Sequence, residues 1–177
     1  IMNNPDSLAD HMPEGAAKMF GEGSGENRSV FMDMYAGFAR HIMDKYGLTQ
    51  EHYAKIAVKS HKNGALNPHA QHQKEVTLEQ VLNSGDVSFP LTRMMCSPVG
   101  DGGAAAIVCS REVAAKFTTK PVWVASSIVG SGRRTIADPE DTITARTGPR
   151  AFEAAGIEPD EIDVIEVHDA TSPSEII

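Results

Sequence analysis

Apolar residues recur at helical spacing from Phe31 to Tyr46. Phe31, Met34, Tyr35, Phe38, Ile42, Met43 and Tyr46 fall on one face. Gly47, free to turn left-handed, predicts the stop. Thr49 is placed to cap a second helix that would bury Tyr53, Ile56, Ala57 and Ser60 and fade near Gly64, before Asn67-Pro68. Thr77 and Gln80 have the spacing of a capping box, which predicts a short helix through Leu82. Nothing up to Pro90 alternates as a strand does, so residues 13–90 read as a helical subdomain with long connections. Residues 1–30 are rich in glycine, proline and short polar side chains and read as an irregular arm. The spaced glycines of Gly21-Glu22-Gly23-Ser24-Gly25 follow no apolar strand and lack a Lys-Ser/Thr ending, which favours a flexible loop over a phosphate cradle.

The pattern changes near Leu91. Gly103 to Ser110 reads as a buried strand, and Ser110 can cap a helix through Phe117. Val122 to Val129 reads as a second strand. A helix ending at Phe152-Glu153-Ala154-Ala155 follows, with Gly156 as its stop; Pro149 suits the first turn of its final segment and would break a longer helix. Asp163 to Val167 reads as a third strand, with His168 at its carboxyl end. This alternation of strands and helices predicts a layered α/β domain without internal repeats.

Composition narrows the class. The chain has 177 residues, 41% hydrophobic and 23% charged, the balance of a soluble globular protein. Its longest apolar run, Ala104 to Cys109, is far short of the about 20 residues that span a bilayer, so no membrane span is expected. The amino-terminal residues have neither the basic nor the apolar part of a signal peptide, and an isoleucine start reads as truncation. The net charge of −8 disfavours nucleic acid, whose partners are normally basic. It does not exclude a small anionic ligand such as coenzyme A, which local groups and helix ends can hold. Two cysteines make no disulfide framework and fit a reducing, cytoplasmic location.

Several residues could carry chemistry. His168-Asp169 directly follows an apolar strand, where ligands of α/β folds often bind; a loop histidine beside a cap reads equally well from position alone. In Ser97-Pro98-Val99-Gly100-Asp101-Gly102-Gly103 the glycines permit close backbone approach and Asp101 can fix the turn, although a purely structural turn explains the same residues. His69 and His72 are spaced to share a helical face, with His61 upstream. They lack the further ligands of a zinc site, so no metal is expected. Cys96 has no histidine near it in sequence, and burial beside a strand would keep it inert. Met32, Met34 and Met43 read as core filling.

Three segments in this order resemble the thiolase superfamily, especially the sterol-carrier-protein type of thiolase and acetyl-CoA acetyltransferases. Tyr46-Gly47 through Lys59-Ser60-His61-Lys62-Asn63-Gly64-Ala65-Leu66-Asn67-Pro68 resembles that family's loop domain. Cys96-Ser97-Pro98-Val99-Gly100-Asp101-Gly102-Gly103-Ala104-Ala105-Ala106 resembles the segment opening its carboxyl-terminal half. Gly156 to Asp169, ending in Glu166-Val167-His168-Asp169, resembles the strand leading to an active-site histidine. The resemblance spans residues 35–177. It implies a thiolase-like layered fold in which residues 1–92 hold the tail of the amino-terminal half and the helical loop domain. Residues 93–177 would then begin the carboxyl-terminal α/β half.

The same resemblance implies an acyl-CoA C-acyltransferase, working by thiolytic cleavage or Claisen condensation, with coenzyme A as substrate and no covalently bound cofactor. His168 would stabilise the thioester enolate or oxyanion, directly or through a held water. Ser97 matches a position that contacts the pantetheine arm, and the loop domain with His61 and Asn63 would lie over CoA or a neighbouring subunit. After His168-Asp169 the family often has a small residue and then an aromatic one; here stand Ala170 and Thr171. That departure implies an acyl pocket for groups bulkier or more polar than acetyl. The family's nucleophilic cysteine, its Gly-His-Pro segment and its second cysteine have no counterpart here, and neither Cys96 nor Cys109 stands in the nucleophile's context. A homodimer or dimer of dimers is implied. Two other functions fit the same residues: a retro-aldolase on CoA-linked side chains with a small zinc-ribbon/OB-fold partner, or a non-catalytic acyl-CoA or lipid-binding module. The last would leave a large apolar sheet face exposed.

Overall fold

In the computed structural model of the protein, residues 29–118, 120–132 and 140–176 are described. They divide into two units. The first takes its residues from 1–98, 133–141 and 165–177, the second from 99–132 and 142–164.

The first unit is built on two helices, α1 (Val30–Tyr46) and α2 (Gln50–Ala65). α1 stops where Gly47 turns left-handed at φ 69°, a conformation glycine enters without a Cβ clash. Thr49 starts α2 with an extended backbone, and its N–H donates to His52 Nδ1 at 3.0 Å. Both signals stand where the sequence predicts them. Ala36 and Ala39 on α1 and Ala54 and Ala57 on α2 are all buried and belong to one core cluster. Tyr53 is buried among them and donates its hydroxyl to the Ala39 carbonyl at 2.8 Å. Ile56 is half-buried and Ser60 exposed, so the buried stripe is narrower than expected.

α3 (Leu78–Leu82) carries the predicted capping box. The Gln80 N–H donates to Thr77 Oγ1 at 3.1 Å and the Thr77 N–H to Gln80 Oε1 at 2.8 Å. Two strands then appear that the sequence reading did not anticipate: β1 (Asp86–Ser88) and β2 (Leu91–Thr92) form an antiparallel hairpin around a cis Phe89–Pro90 bond. Hydroxyls anchor it. Buried Ser88 donates to Asp33 Oδ1 at 2.7 Å, and buried Thr92 donates to the Val81 carbonyl at 2.7 Å. A strand pair held by buried hydroxyls shows no apolar alternation, which is why it escapes a periodicity reading. Val81, Leu91 and Met95 close the core against the small-residue face of the helices. The carboxyl-terminal segment joins this unit through a 3-10 turn at Ser172–Glu175, packed on α1 and α2, and through a Lys59–Glu175 ion pair.

The second unit holds α4 (Arg111–Ala114) and α5 (Ile143–Ala155). Ser110 caps α4 as predicted, but only turns follow towards Phe117. Thr142 caps α5, its Oγ1 accepting from the Ala145 N–H at 3.0 Å, and Gly156 ends it at φ 69°. Pro149 lies inside α5 and does not break it, contrary to expectation. The carbonyl deprived of a donor belongs to exposed Ala145, where water can replace the lost bond.

The three strands expected at Gly103–Ser110, Val122–Val129 and Asp163–Val167 are corrected by the structure, in which none of these stretches forms a strand. Ile107 is 96% exposed and Val122 96% exposed. Their apolar runs suit burial on both faces, yet a strand exists only through a neighbour's ladder. Among the described residues, regular structure is therefore helices with one small sheet, a mixed architecture compatible with the α/β class. No described helix is long and apolar enough to cross a membrane. The arm expected over residues 1–30, with Gly21 to Gly25, lies outside the described residues except for its last two.

Candidate functional site

Ser97 precedes a proline, which biases its backbone towards the extended region. Extended there, its N–H donates to the carbonyl of Ala170 at 2.9 Å. One residue back, Cys96 and Thr171 face each other as an isolated antiparallel pair. The two segments singled out in the sequence, Cys96-Ser97-Pro98 and Asp169-Ala170-Thr171, thus run side by side in the first unit.

Beside this junction lies a cavity of about 300 Å³ whose lining includes His61, His72, Cys96, Ser97, Asp169 and Ser172. α2 supplies one wall through His61. A Cβ on Gly64 would come within 2.9 Å of the His72 carbonyl, so glycine there lets the following chain fold back against the helix. That return brings the His72 ring to 5.7 Å from the His61 ring, centroid to centroid. His69 and His72 stand beyond the end of α2, so they do not share a helical face. Among the described residues, no group of three or more His, Cys, Asp or Glu could hold a metal.

The four residues predicted to form the site are placed as follows. Ser97 is exposed and lines the cavity. Ala170 is half-buried and presents its carbonyl to Ser97. Thr171 is fully buried, with Oγ1 3.3 Å from Ser174 Oγ. His168 is exposed, immediately before the cavity-lining Asp169. Ser97, Ala170 and Thr171 are therefore neighbours, but of the four only Ser97 is part of the cavity wall. His72 and Ser172 belong to the wall without having been expected there. Ser172 gave no signal beyond following the histidine segment, because its place depends on the Cys96–Thr171 pairing.

Cys96 also lines the cavity. Burial pushes its thiol up to about 11, and its Sγ is 3.5 Å from the Thr92 carbonyl. It stays protonated near neutral pH and makes a poor nucleophile. A separate cavity of about 570 Å³ lies within the second unit, where the Arg111 guanidinium stacks 4.5 Å from the Trp123 ring centroid.

No protein-family model matches the chain. Individual proteins do. The chain is 37% identical over 174 residues to the acetyl-CoA acetyltransferase of Methanothermobacter thermautotrophicus, covering 96% of this chain and 45% of that protein. It is 36% identical over 153 residues to the benzoylsuccinyl-CoA thiolase subunit BbsB of Thauera aromatica, covering 84% of this chain and 40% of that protein. It is 37% identical over 157 residues to sterol carrier protein 2 of Bos taurus, covering 84% and 29%. The chain thus spans less than half the length of these relatives.

Proposed function

We propose that this chain, a homologue of acetyl-CoA acetyltransferase and thiolase proteins over most of its length, forms part of a thiolase-like acyl-CoA C-acyltransferase. Its reaction is thiolytic cleavage or Claisen condensation of a 3-oxoacyl-CoA, and its range extends beyond acetoacetyl-CoA. The supporting observation is the backbone hydrogen bond from Ser97 to Ala170, next to a cavity lined by Ser97 and Asp169. It unites the segment proposed to meet the pantetheine arm with the segment proposed to meet the reacting thioester.

In this reading coenzyme A is substrate, and no cofactor is bound covalently. The Ser97 hydroxyl bonds an amide of the pantetheine arm. His168 donates to the oxyanion or enolate that develops as the carbon–carbon bond breaks. Ala170 and Thr171 shape the acyl end. The acyl-carrying thiolate is neither Cys96, whose thiol is held protonated by burial, nor Cys109. It lies outside these residues, elsewhere in the protein or on a partner. We assign the assembly to a cytoplasmic homo-oligomer, dimer or dimer of dimers, in a layered thiolase-like fold.

The test is product analysis with the full-length protein. A 3-oxoacyl-CoA and free CoA should yield acetyl-CoA and the acyl-CoA shortened by an acetyl unit. The CoA sulfur bonds the 3-carbonyl carbon, the bond between carbons 2 and 3 breaks, and the thiol proton ends on the acetyl methyl. Release of an aldehyde or ketone from a 3-hydroxyacyl-CoA would establish the aldolase instead. Tight acyl-CoA binding without turnover would establish a carrier.

A further inference from the structure

The cavity beside Ser97 has an uneven distribution of charge. One carboxylate, Asp169, stands in its wall, and no lysine or arginine does. Asp169 is exposed and makes no ion pair among the described residues. A ligand that meets this carboxylate therefore displaces water and breaks no contact within the protein. His168, one residue earlier, is absent from the wall. The backbone ties Asp169 to Ser97: its neighbour Ala170 accepts the Ser97 N–H at 2.9 Å, so the two wall residues belong to segments that run together. A carboxylate accepts hydrogen bonds and donates none, whereas a serine hydroxyl does both. An amide suits that pair, with an N–H for Asp169 and a carbonyl for Ser97. A phosphate does not. It offers Asp169 the same sign of charge, and the wall has no lysine or arginine to offset the repulsion. At about 300 Å³ the cavity is also at the small end of ligand pockets, the size for part of a long ligand.

We propose that Asp169 is a specificity residue of this cavity, accepting a hydrogen bond from an amide N–H or the hydroxyl of the pantetheine arm and keeping the phosphates of coenzyme A outside. This rests on the acyl-CoA reading above and assigns which part of the ligand the cavity holds. The rest of the wall fits the uncharged arm. Ala57, Met94 and Met95 also line the cavity and supply apolar surface for its carbons. A hydrogen bond to a charged acceptor is stronger than one between neutral groups, so Asp169 contributes more to holding the arm than the Ser97 hydroxyl does.

The experiment uses the full-length protein and two probes, CoA and S-methyl-pantetheine, the arm without its nucleotide. Calorimetry reads the first and an NMR titration the second. Asp169→Ala should weaken both probes by the same factor, about tenfold, the low end for one hydrogen bond to a charged group. Asp169→Asn keeps an acceptor without the charge and should lose about threefold, the value of a neutral bond. Circular dichroism checks the fold, and either folded variant suffices. A variant that binds both probes as the wild type does would overturn the proposal. So would a loss on CoA alone, which places Asp169 at the nucleotide, or tighter CoA binding, which places phosphates in the cavity. The acyltransferase reading is judged apart, by whether 3-oxoacyl-CoA is thiolysed. Binding that depends on Asp169 without thiolysis would keep the subsite and reject the reaction. Thiolysis with binding indifferent to Asp169 would do the reverse.

Discussion

The Ser97 amide N–H donates to the Ala170 carbonyl at 2.9 Å, and the bond ties the end of the hairpin region to the carboxyl-terminal segment. The backbone of Ser97 can therefore be tested apart from its side chain, for which a contact with CoA is proposed. Ser97→Pro removes the donor and should lower unfolding free energy by about 0.5–1.5 kcal/mol. Ser97→Ala keeps the donor and should leave stability within about 0.5 kcal/mol. It should instead weaken CoA binding by roughly threefold to tenfold, the value of one neutral hydrogen bond. Urea denaturation and calorimetry read the two effects. Equal losses of stability from both variants would mean that the hydroxyl acts structurally.

Tyr53 offers a test of the helical core. It is fully buried, and burial pushes its phenol up to about 12. An unfolded tyrosine titrates near 10. Between about pH 10 and about pH 12 the unfolded chain releases a proton that the folded protein keeps. The stability from this residue is thus complete below pH 10 and is lost as pH rises through that window. Tyr53→Phe cannot show this component, and at neutral pH it should cost about 0.5–1.5 kcal/mol for the lost bond to Ala39. Stability measured against pH for both proteins should converge above pH 11. Parallel curves would show that Tyr53 titrates normally.

What the sequence made legible follows from the range of each signal. The Gly47 stop and the Thr77–Gln80 box are local, complete within a few residues, and appear where expected. The β1–β2 hairpin is invisible to periodicity because Asp33 and the Val81 carbonyl, well outside its strands, hold Ser88 and Thr92. The run from Ala104 to Cys109 misleads in the opposite sense. Its residues suit a buried strand, but suitability does not supply a neighbour, and Val108 is 83% exposed. Family resemblance singles out Ser97 and Ala170 separately, but their contact is not legible in the sequence, since no local pattern encodes a contact between distant segments. Ser172 carried no such signal, and only its buried, unpaired hydroxyl draws notice.

The two cysteines should separate cleanly under alkylation. Cys109 is exposed, whereas Cys96 is half-buried with its thiol pushed up to about 11. Thiolate is the reacting form, so at pH 8 about one part in 1,000 of Cys96 is reactive, before its limited access slows it further. Iodoacetamide at pH 8 should label Cys109 at least tenfold faster, as read by peptide mass. The Cys96 rate should climb with pH up to about 11. Preferential labelling of Cys96 near neutral pH would show an activated thiol and reopen its candidacy as the nucleophile.

His168 is the sharpest test of mechanism, because exposure at the end of Asp163–Val167 does not itself establish a role. If His168 supplies a hydrogen bond to a developing oxyanion, the bond is strongest in the transition state, so its loss should fall on kcat. His168→Ala in the full-length protein should lower kcat by about 10²–10³, the usual loss for one oxyanion donor. CoA affinity should change less than about threefold, since Ser97 and the cavity wall remain. His168→Asn separates donor from base. Its side-chain amide still donates but accepts no proton at neutral pH, so it should recover at least tenfold of the activity that alanine loses. An asparagine variant as inactive as the alanine one would make His168 a proton acceptor. Unchanged turnover in both would remove it from the chemistry altogether.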